Sequence, residues 1–235
     1  MKKSTLFFVL FALLYFAGCS SDNPTEPEND NNPPKIEFQK YSVPTHLQEV
    51  ADNGNTAAAT AVVMYELLAS IQDYANMFSP PASMSKFSKS TTTFKDYTWQ
   101  IGELNVKLSV EYDNDIVNMD LIYNGSDGVY TYNNFQAGEA MFLLDGSYGF
   151  IKLNSFGNST ALLDLSWEKQ KNGDMYFDFN YLNSIKFNCL AGSPDQPIVF
   201  TLEVDGYSTD IKVFPDGSGE YTRFDDKGNV LESST

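Results

Sequence analysis

A change of hydrophobic period constrains this chain more than any other feature. From Tyr97 onward apolar residues recur at every second position, and Leu104, Val106, Leu108, Val110 and Tyr112 alternate with Asn105, Lys107, Ser109 and Glu111. A period of two puts the first set on one face of a half-buried strand. The next segment alternates Val117, Met119, Leu121 and Tyr123. A two-residue turn at Asn114-Asp115 sets Tyr112 opposite Val117, Val110 opposite Met119 and Leu108 opposite Leu121. Partners across an antiparallel pair share a face, so turn and pattern agree.

The same test applies to Leu163, Leu165 and Trp167 against Phe177, Phe179 and Tyr181. A two-residue loop at Asn172-Gly173 places Trp167 opposite Asp178, whereas a three-residue loop, Lys171-Asn172-Gly173, places it opposite Phe177 and Leu165 opposite Phe179. The second arrangement keeps the apolar phases together, with Gly173 in the left-handed bulge position. A turn at Asp205-Gly206 likewise pairs Phe200 with Ile211 and Ile198 with Val213. Shorter strands are predicted around 129–133, 140–144, 148–153, 185–190 and 220–224, separated by turns at Asp127-Gly128, Asp145-Gly146, Asp216-Gly217 and Gly228-Asn229.

Ahead of the strands, Ala61, Met64, Leu68, Ile71, Ala75 and Phe78 follow spacings of three and four. That is a helical stripe, over about 57–78. Asn55 or Thr56 can cap its start and Pro80-Pro81 forbids continuation. Glu66, Ser70 and Asp73 leave only a narrow polar line, so this helix requires cover on most sides. Ten or more sequential antiparallel strands curl rather than stay flat. The expected fold is α+β, one domain over 35–235, with a strongly curved antiparallel β-meander over about 94–233 packed on one N-terminal helix.

The first 34 residues belong to something else. Lys2 and Lys3 precede an apolar run from Leu6 to Ala17, too short to span a bilayer, which needs roughly 20 helical residues. Phe16-Ala17-Gly18-Cys19 closes the run with small residues before a thiol. This order resembles the lipobox of bacterial lipoproteins, with Phe16 where that family usually has Leu. The resemblance implies cleavage of a signal peptide, residues 1–18, lipid on Cys19, and an address at the outer membrane of the envelope, facing the periplasm or the cell surface. Residues 20–34, SSDNPTEPENDNNPP, carry no aliphatic or aromatic side chain and cannot build a core. As an extended spacer they reach on the order of 45 Å. An acidic, Asn-rich stretch after the cysteine is also similar to the surface-export signals of Bacteroidota lipoproteins.

All 31 acidic residues follow position 18, whereas Lys2 and Lys3 precede it, so removal of the leader takes the formal charge from −16 to −18. Nucleic acid is a poor partner for such a chain. With Cys19 carrying lipid, Cys189 is the only free thiol, and it shares the inward phase with Ile185 and Phe187 as a small buried hydrophobe. His46 is the single histidine and is placed in a polar loop before the helix, which excludes multi-histidine metal sites. Any Ser-His-Asp arrangement must likewise be built on His46, which is read as a solvated surface histidine, with a Cys189–His46 nucleophilic dyad as the alternative.

Asp120, Asp164, Asp178 and Glu203 fall on the polar phase of their strands, away from any shared apolar cleft of the kind glycoside hydrolysis uses. The acidic turns Asp113-Asn114-Asp115 and Asp225-Asp226 offer oxygen ligands to calcium, but Asp and Asn occupy turns for backbone reasons and neither run follows the EF-hand spacing. No Gly-rich phosphate loop or dinucleotide fingerprint is present, so no cofactor is expected.

The compositional excess is aromatic: 18 Phe, 14 Tyr and 2 Trp. Core packing accounts for much of it. A curved sheet larger than its filling can also enclose an apolar ligand, between Leu68 of the helix and Trp167, Phe177 and Phe179 of the sheet. In element order the expected fold resembles the half-barrel-over-helix of the Lol-type lipoprotein carriers and related lipid-binding lipoproteins. The functional expectation is a non-enzymatic binding or interaction module, with a carrier or sensor of a lipid or other apolar ligand as the alternative and a hydrolase using loop carboxylates last.

Overall fold

The computed structural model describes residues 35–38, 40–80, 86–90, 94–157, 161–182, 184–192 and 196–234. The expected signal peptide, Cys19 and the tether to residue 34 lie outside them. Two helices come first, α1 (Thr45–Asp52) and α2 (Thr56–Asn76). Asn55 caps α2 as expected, its side-chain oxygen accepting from the Ala58 N–H at 3.0 Å. Every residue of the apolar stripe from Ala61 to Phe78 is buried.

One helix was expected, and the described residues contain two. His46 therefore lies on α1 and not in a loop, exposed and beside the Asp216-Gly217 turn, where a Cβ on Gly217 would come within 3.1 Å of His46 Cβ. The physical reason is a short stripe, Leu47 with Val50 and Ala51, which docks α1 on the core without any side-chain cap.

Thirteen strands follow in one sheet whose spatial order is its sequence order. They are β1 (Lys86–Ser90), β2 (Phe94–Ile101), β3 (Glu103–Asp113), β4 (Ile116–Ser126), β5 (Thr131–Leu143), β6 (Tyr148–Asn154) and β7 (Ala161–Lys169). The remainder are β8 (Met175–Tyr181), β9 (Ile185–Ala191), β10 (Ile198–Val204), β11 (Tyr207–Val213), β12 (Gly219–Phe224) and β13 (Val230–Ser234). Every neighbouring pair is antiparallel, and among the described residues β1 does not pair with β13, so the sheet is open. No described helix is long and apolar enough to cross a membrane.

The three hairpins pair in the expected register: Val110 with Met119, Trp167 with Phe177, and Phe200 with Ile211. Gly173 takes φ 96° at the end of its three-residue loop. The strands expected at 129–133 and 140–144 are instead one strand, β5, of 13 residues. Two bulges explain the difference. Leu121 pairs with Gly138 but Ile122 with Gln136, and Tyr123 pairs with Phe135 but Gly125 with Tyr132, so β5 carries an extra residue at each step. Each extra residue reverses the phase and erases the alternation a single strand would display.

The core is one cluster drawn from both helices and every strand from β2 to β12. Tyr65 of α2 meets Phe200 of β10 at 5.2 Å between ring centroids, Tyr74 meets Phe179 of β8 at 6.4 Å, and Phe78 lies against Gly138 of β5. From Tyr65 to Phe78 a helix advances roughly 20 Å, and five strand spacings from β10 to β5 span about 24 Å. The helix therefore runs across the strands. Gly138 is required there because a Cβ would stand 3.1 Å from the Phe78 ring and 2.9 Å from the Lys152 carbonyl oxygen.

Candidate functional site

The residues expected to bound a ligand cavity are brought together, but the chain itself fills the space between them. Phe38, from the segment before α1, stands edge-on to Trp167 with centroids 4.8 Å apart and lies 5.7 Å from Phe177. Tyr74 covers Phe179, and Leu68, Trp167, Phe177 and Phe179 are all buried. The Trp167 indole N–H donates to the Gly146 carbonyl at 3.2 Å, which fixes the ring over the β5–β6 turn. These four residues form a packed layer.

Cys189 is completely buried on the inward phase of β9, beside the Tyr41 and Tyr65 rings. Burial pushes its thiol far above the ordinary range, and burial likewise pushes both tyrosines up to about 12. A thiol without surface cannot attack a substrate, and His46 is on the exposed side of α1. Asp120, Asp178 and Glu203 are exposed and Asp164 half-buried on the outer phase, as expected.

Asp225 accepts from the Lys227 and Asn229 N–H groups at 2.9 and 2.8 Å, so its carboxylate serves its own turn. No group of three or more His, Cys, Asp or Glu among the described residues is placed to hold a metal. A groove of about 630 Å³ lies on the outer side of β9 to β12, with Glu203, Asp205, Asp225 and Asp226 on its walls and Lys186 3.9 Å from Glu203.

A different place gathers groups suited to recognition. The β4–β5 hairpin extends past the end of β6, because β5 pairs with β6 only from Gly138 to Phe142. The free flank of Thr131 to Phe135 is closed by the loop after β6, which lays Phe156 on Tyr132 at 4.7 Å, on Tyr130 at 5.3 Å and on Phe135 at 5.3 Å. Tyr132 also stacks on Phe135 at 5.5 Å and meets Tyr123 edge-on at 5.7 Å. Five rings thus support one another at the rim of the sheet. Val129 is 77% exposed, Tyr130 51% and Phe156 40%. Large apolar groups this open, held together at one place, make this the candidate site.

Asp127 locks the hairpin that carries them. Its Oδ1 accepts from the Val129 and Tyr130 N–H groups at 2.8 and 2.7 Å, and its Oδ2 accepts from the Tyr132 hydroxyl at 2.7 Å. Partial desolvation pushes this carboxyl up, but those three donors outweigh it and hold the group below the ordinary carboxylate range. Burial, and then donation to Asp127, push the Tyr132 phenol up. The hairpin that carries the rings is therefore held in shape by its own hydrogen bonds.

The apolar exposure continues along the same end of the sheet. Strands alternate in direction, so the β2–β3, β4–β5, β6–β7, β8–β9, β10–β11 and β12–β13 connections share one rim. Ile101, Val129, Tyr130, Phe156, Tyr207 and Val230 are exposed there. A smaller patch lies on the outer face, where Val199 pairs with Leu190 and Leu190 with Tyr176. The sequence reading missed the rim because its rings come from two bulged stretches and a loop. The only signal was the run of Tyr123, Tyr130, Tyr132 and Phe135 without sustained alternation.

No protein-family model, no curated protein and no solved structure matches this chain.

Proposed function

We propose that this chain is a lipid-anchored envelope protein whose folded domain is a non-catalytic binding module, presenting the aromatic rim around Tyr130 and Phe156 to a partner. The observation that carries the reading is the five-ring cluster, locked by Asp127 and left open to solvent at Val129, Tyr130 and Phe156. The lipobox-like Phe16-Ala17-Gly18-Cys19 and the core-less stretch 20–34 supply anchor and spacer.

The sheet is best understood as a half-barrel wound over α2. Laid flat, 13 strands would span roughly 58 Å, whereas α2 with its 21 residues is about 32 Å long. Yet the inward phase is buried from β2 to β12, with Leu108, Val110, Val117 and Leu121 entirely without surface. One helix cannot cover that width unless the sheet curls around it. The segment before α2 packs at the end opposite the rim: Phe38 on Trp167 and Phe177, and Pro44 with His46 beside Gly217.

Metabolic labelling with an alkyne fatty acid tests the anchor. Label is expected on the wild-type chain and absent from Cys19→Ser, with the variant released from the membrane fraction; label retained in the variant contradicts the reading. Turnover of aryl esters or glycosides by the purified chain, lost on substitution of Asp178 or Glu203, contradicts a non-catalytic role.

A further inference from the structure

The five-ring cluster lacks something the chain provides at other peripheral rings, Tyr207 farther along the same rim among them. Lys95 Nζ lies 5.6 Å from the Tyr112 ring centroid, Lys212 Nζ 4.8 Å from that of Phe214, and the Arg223 guanidinium carbon 5.3 Å from that of Tyr207. Among the described residues no Lys or Arg stands over Tyr123, Tyr130, Tyr132, Phe135 or Phe156. Neither 121–136 nor 154–157 contains a basic residue, and Asp127 sits between them. The whole chain carries a formal charge of −16. A ring face attracts a cation through its quadrupole, and a surrounding negative field strengthens the pull and speeds encounter.

We propose that the rim docks an arginine-bearing protein segment, with a guanidinium laid on the exposed face of Tyr130 or Phe156. The proposal rests on the reading of the rim as a binding surface and deepens it by naming the partner's chemistry. Arginine suits the place better than lysine because its planar, weakly hydrated head stacks on a ring while its stem covers apolar surface such as Val129. Tyr130 and Phe156 are 5.3 Å apart and tilted by 51°, too close to admit a group between them. They therefore offer outer faces, which fits a flat guanidinium and does not fit a quaternary ammonium needing an enclosing cage. Anionic headgroups, nucleic acid and acidic glycans find no counter-charge here.

The test titrates the full chain, in non-ionic detergent and with 13C-labelled aromatic residues, with tetra-arginine and with its neutral isostere tetra-citrulline. Tetra-arginine is expected to shift the Tyr130 and Phe156 ring signals to saturation, at least tenfold more tightly than tetra-citrulline, and to weaken as salt rises. Tyr130→Leu keeps an apolar side chain but removes the π face and is expected to weaken binding at least fivefold; Tyr130→Trp is expected to strengthen it. Unchanged far-UV circular dichroism establishes that both variants are folded. Equal affinity for the two peptides overturns the proposal, as does wild-type affinity in Tyr130→Leu. So do shifts confined to the acidic groove near Glu203 and Asp225. If cellopentaose shifts the rim rings and tetra-arginine does not, the partner chemistry is wrong while the binding surface stands; if neither probe moves them, the proposal fails.

Discussion

Gly149→Ala is expected to be among the most damaging one-carbon additions in the sheet. Gly149 pairs with Trp167 across β6 and β7, and the indole occupies the space a side chain there would need. A Cβ there would stand 2.3 Å from Trp167 Cζ2 and 2.7 Å from both the Met141 carbonyl oxygen and Phe142 Cβ. Two of these neighbours cannot swing away: the indole is tied by its N–H to Gly146 and covered by Phe38, and the carbonyl belongs to the backbone of β5. Overpacking of this kind costs typically 1–3 kcal/mol, so we expect about 3 kcal/mol. For a domain of this size that lowers Tm by roughly 6–12 °C. Urea unfolding followed by circular dichroism measures the cost, and a double-mutant cycle locates it. In a Trp167→Phe background, which removes Cζ2, the same substitution is expected to cost less than about 1.5 kcal/mol. A cost below about 0.5 kcal/mol, or the same cost in both backgrounds, would refute the packing of Gly149 under Trp167.

Phe200→Ala empties a site bounded by Tyr65 at 5.2 Å and Phe187 at 5.7 Å, and is expected to cost about 3–5 kcal/mol by urea unfolding. Cys189 is expected to resist a thiol reagent at pH 8 in the folded chain and to react fully in denaturant, because burial both covers the sulfur and disfavours its thiolate. The Asp127 carboxyl is held below its ordinary 3.8 in the folded chain, so its contribution is full above about pH 4 and is lost as pH falls through the lowered value. Near-UV circular dichroism of the tyrosines should therefore change below pH 4 in the wild type and lose that component in Asp127→Asn, which is itself expected to cost about 1 kcal/mol for an exposed site.

How far the sequence led depended on whether alternation and turn chemistry coincided. In the Asn114-Asp115, Lys171-Asn172-Gly173 and Asp205-Gly206 hairpins each apolar phase admits only one loop length, and pairing follows. Strand β5 broke the rule because its bulges beside Ile122 and Asn124 each reverse the phase. Strand β1 has one apolar residue, Phe87, in KFSKS, so it offered no period to read. Helix α1 has eight residues, a proline before it and no capping side chain, leaving three apolar positions as its whole signature. The inward set Leu68, Trp167, Phe177 and Phe179 was legible, but its filling by Phe38 was not, since that residue belongs to a segment without regular structure. The rim was hidden for a related reason. Phe156 reaches Tyr132 only because β6 stops short of the β4–β5 tip, a fact of strand length that local pattern does not carry.

The proposed role of the rim as the place where this protein meets a partner is tested most directly by photo-crosslinking in intact cells. A photoreactive residue is placed at Val129, on the rim, and in a second chain at exposed Lys171, in the β7–β8 turn at the opposite end. Discrete adducts are expected from position 129, strongly reduced when Tyr130 and Phe156 are both replaced by alanine, and none of comparable yield from position 171. Equal adducts from both positions, or adducts from 129 that survive the double replacement, would contradict the claim.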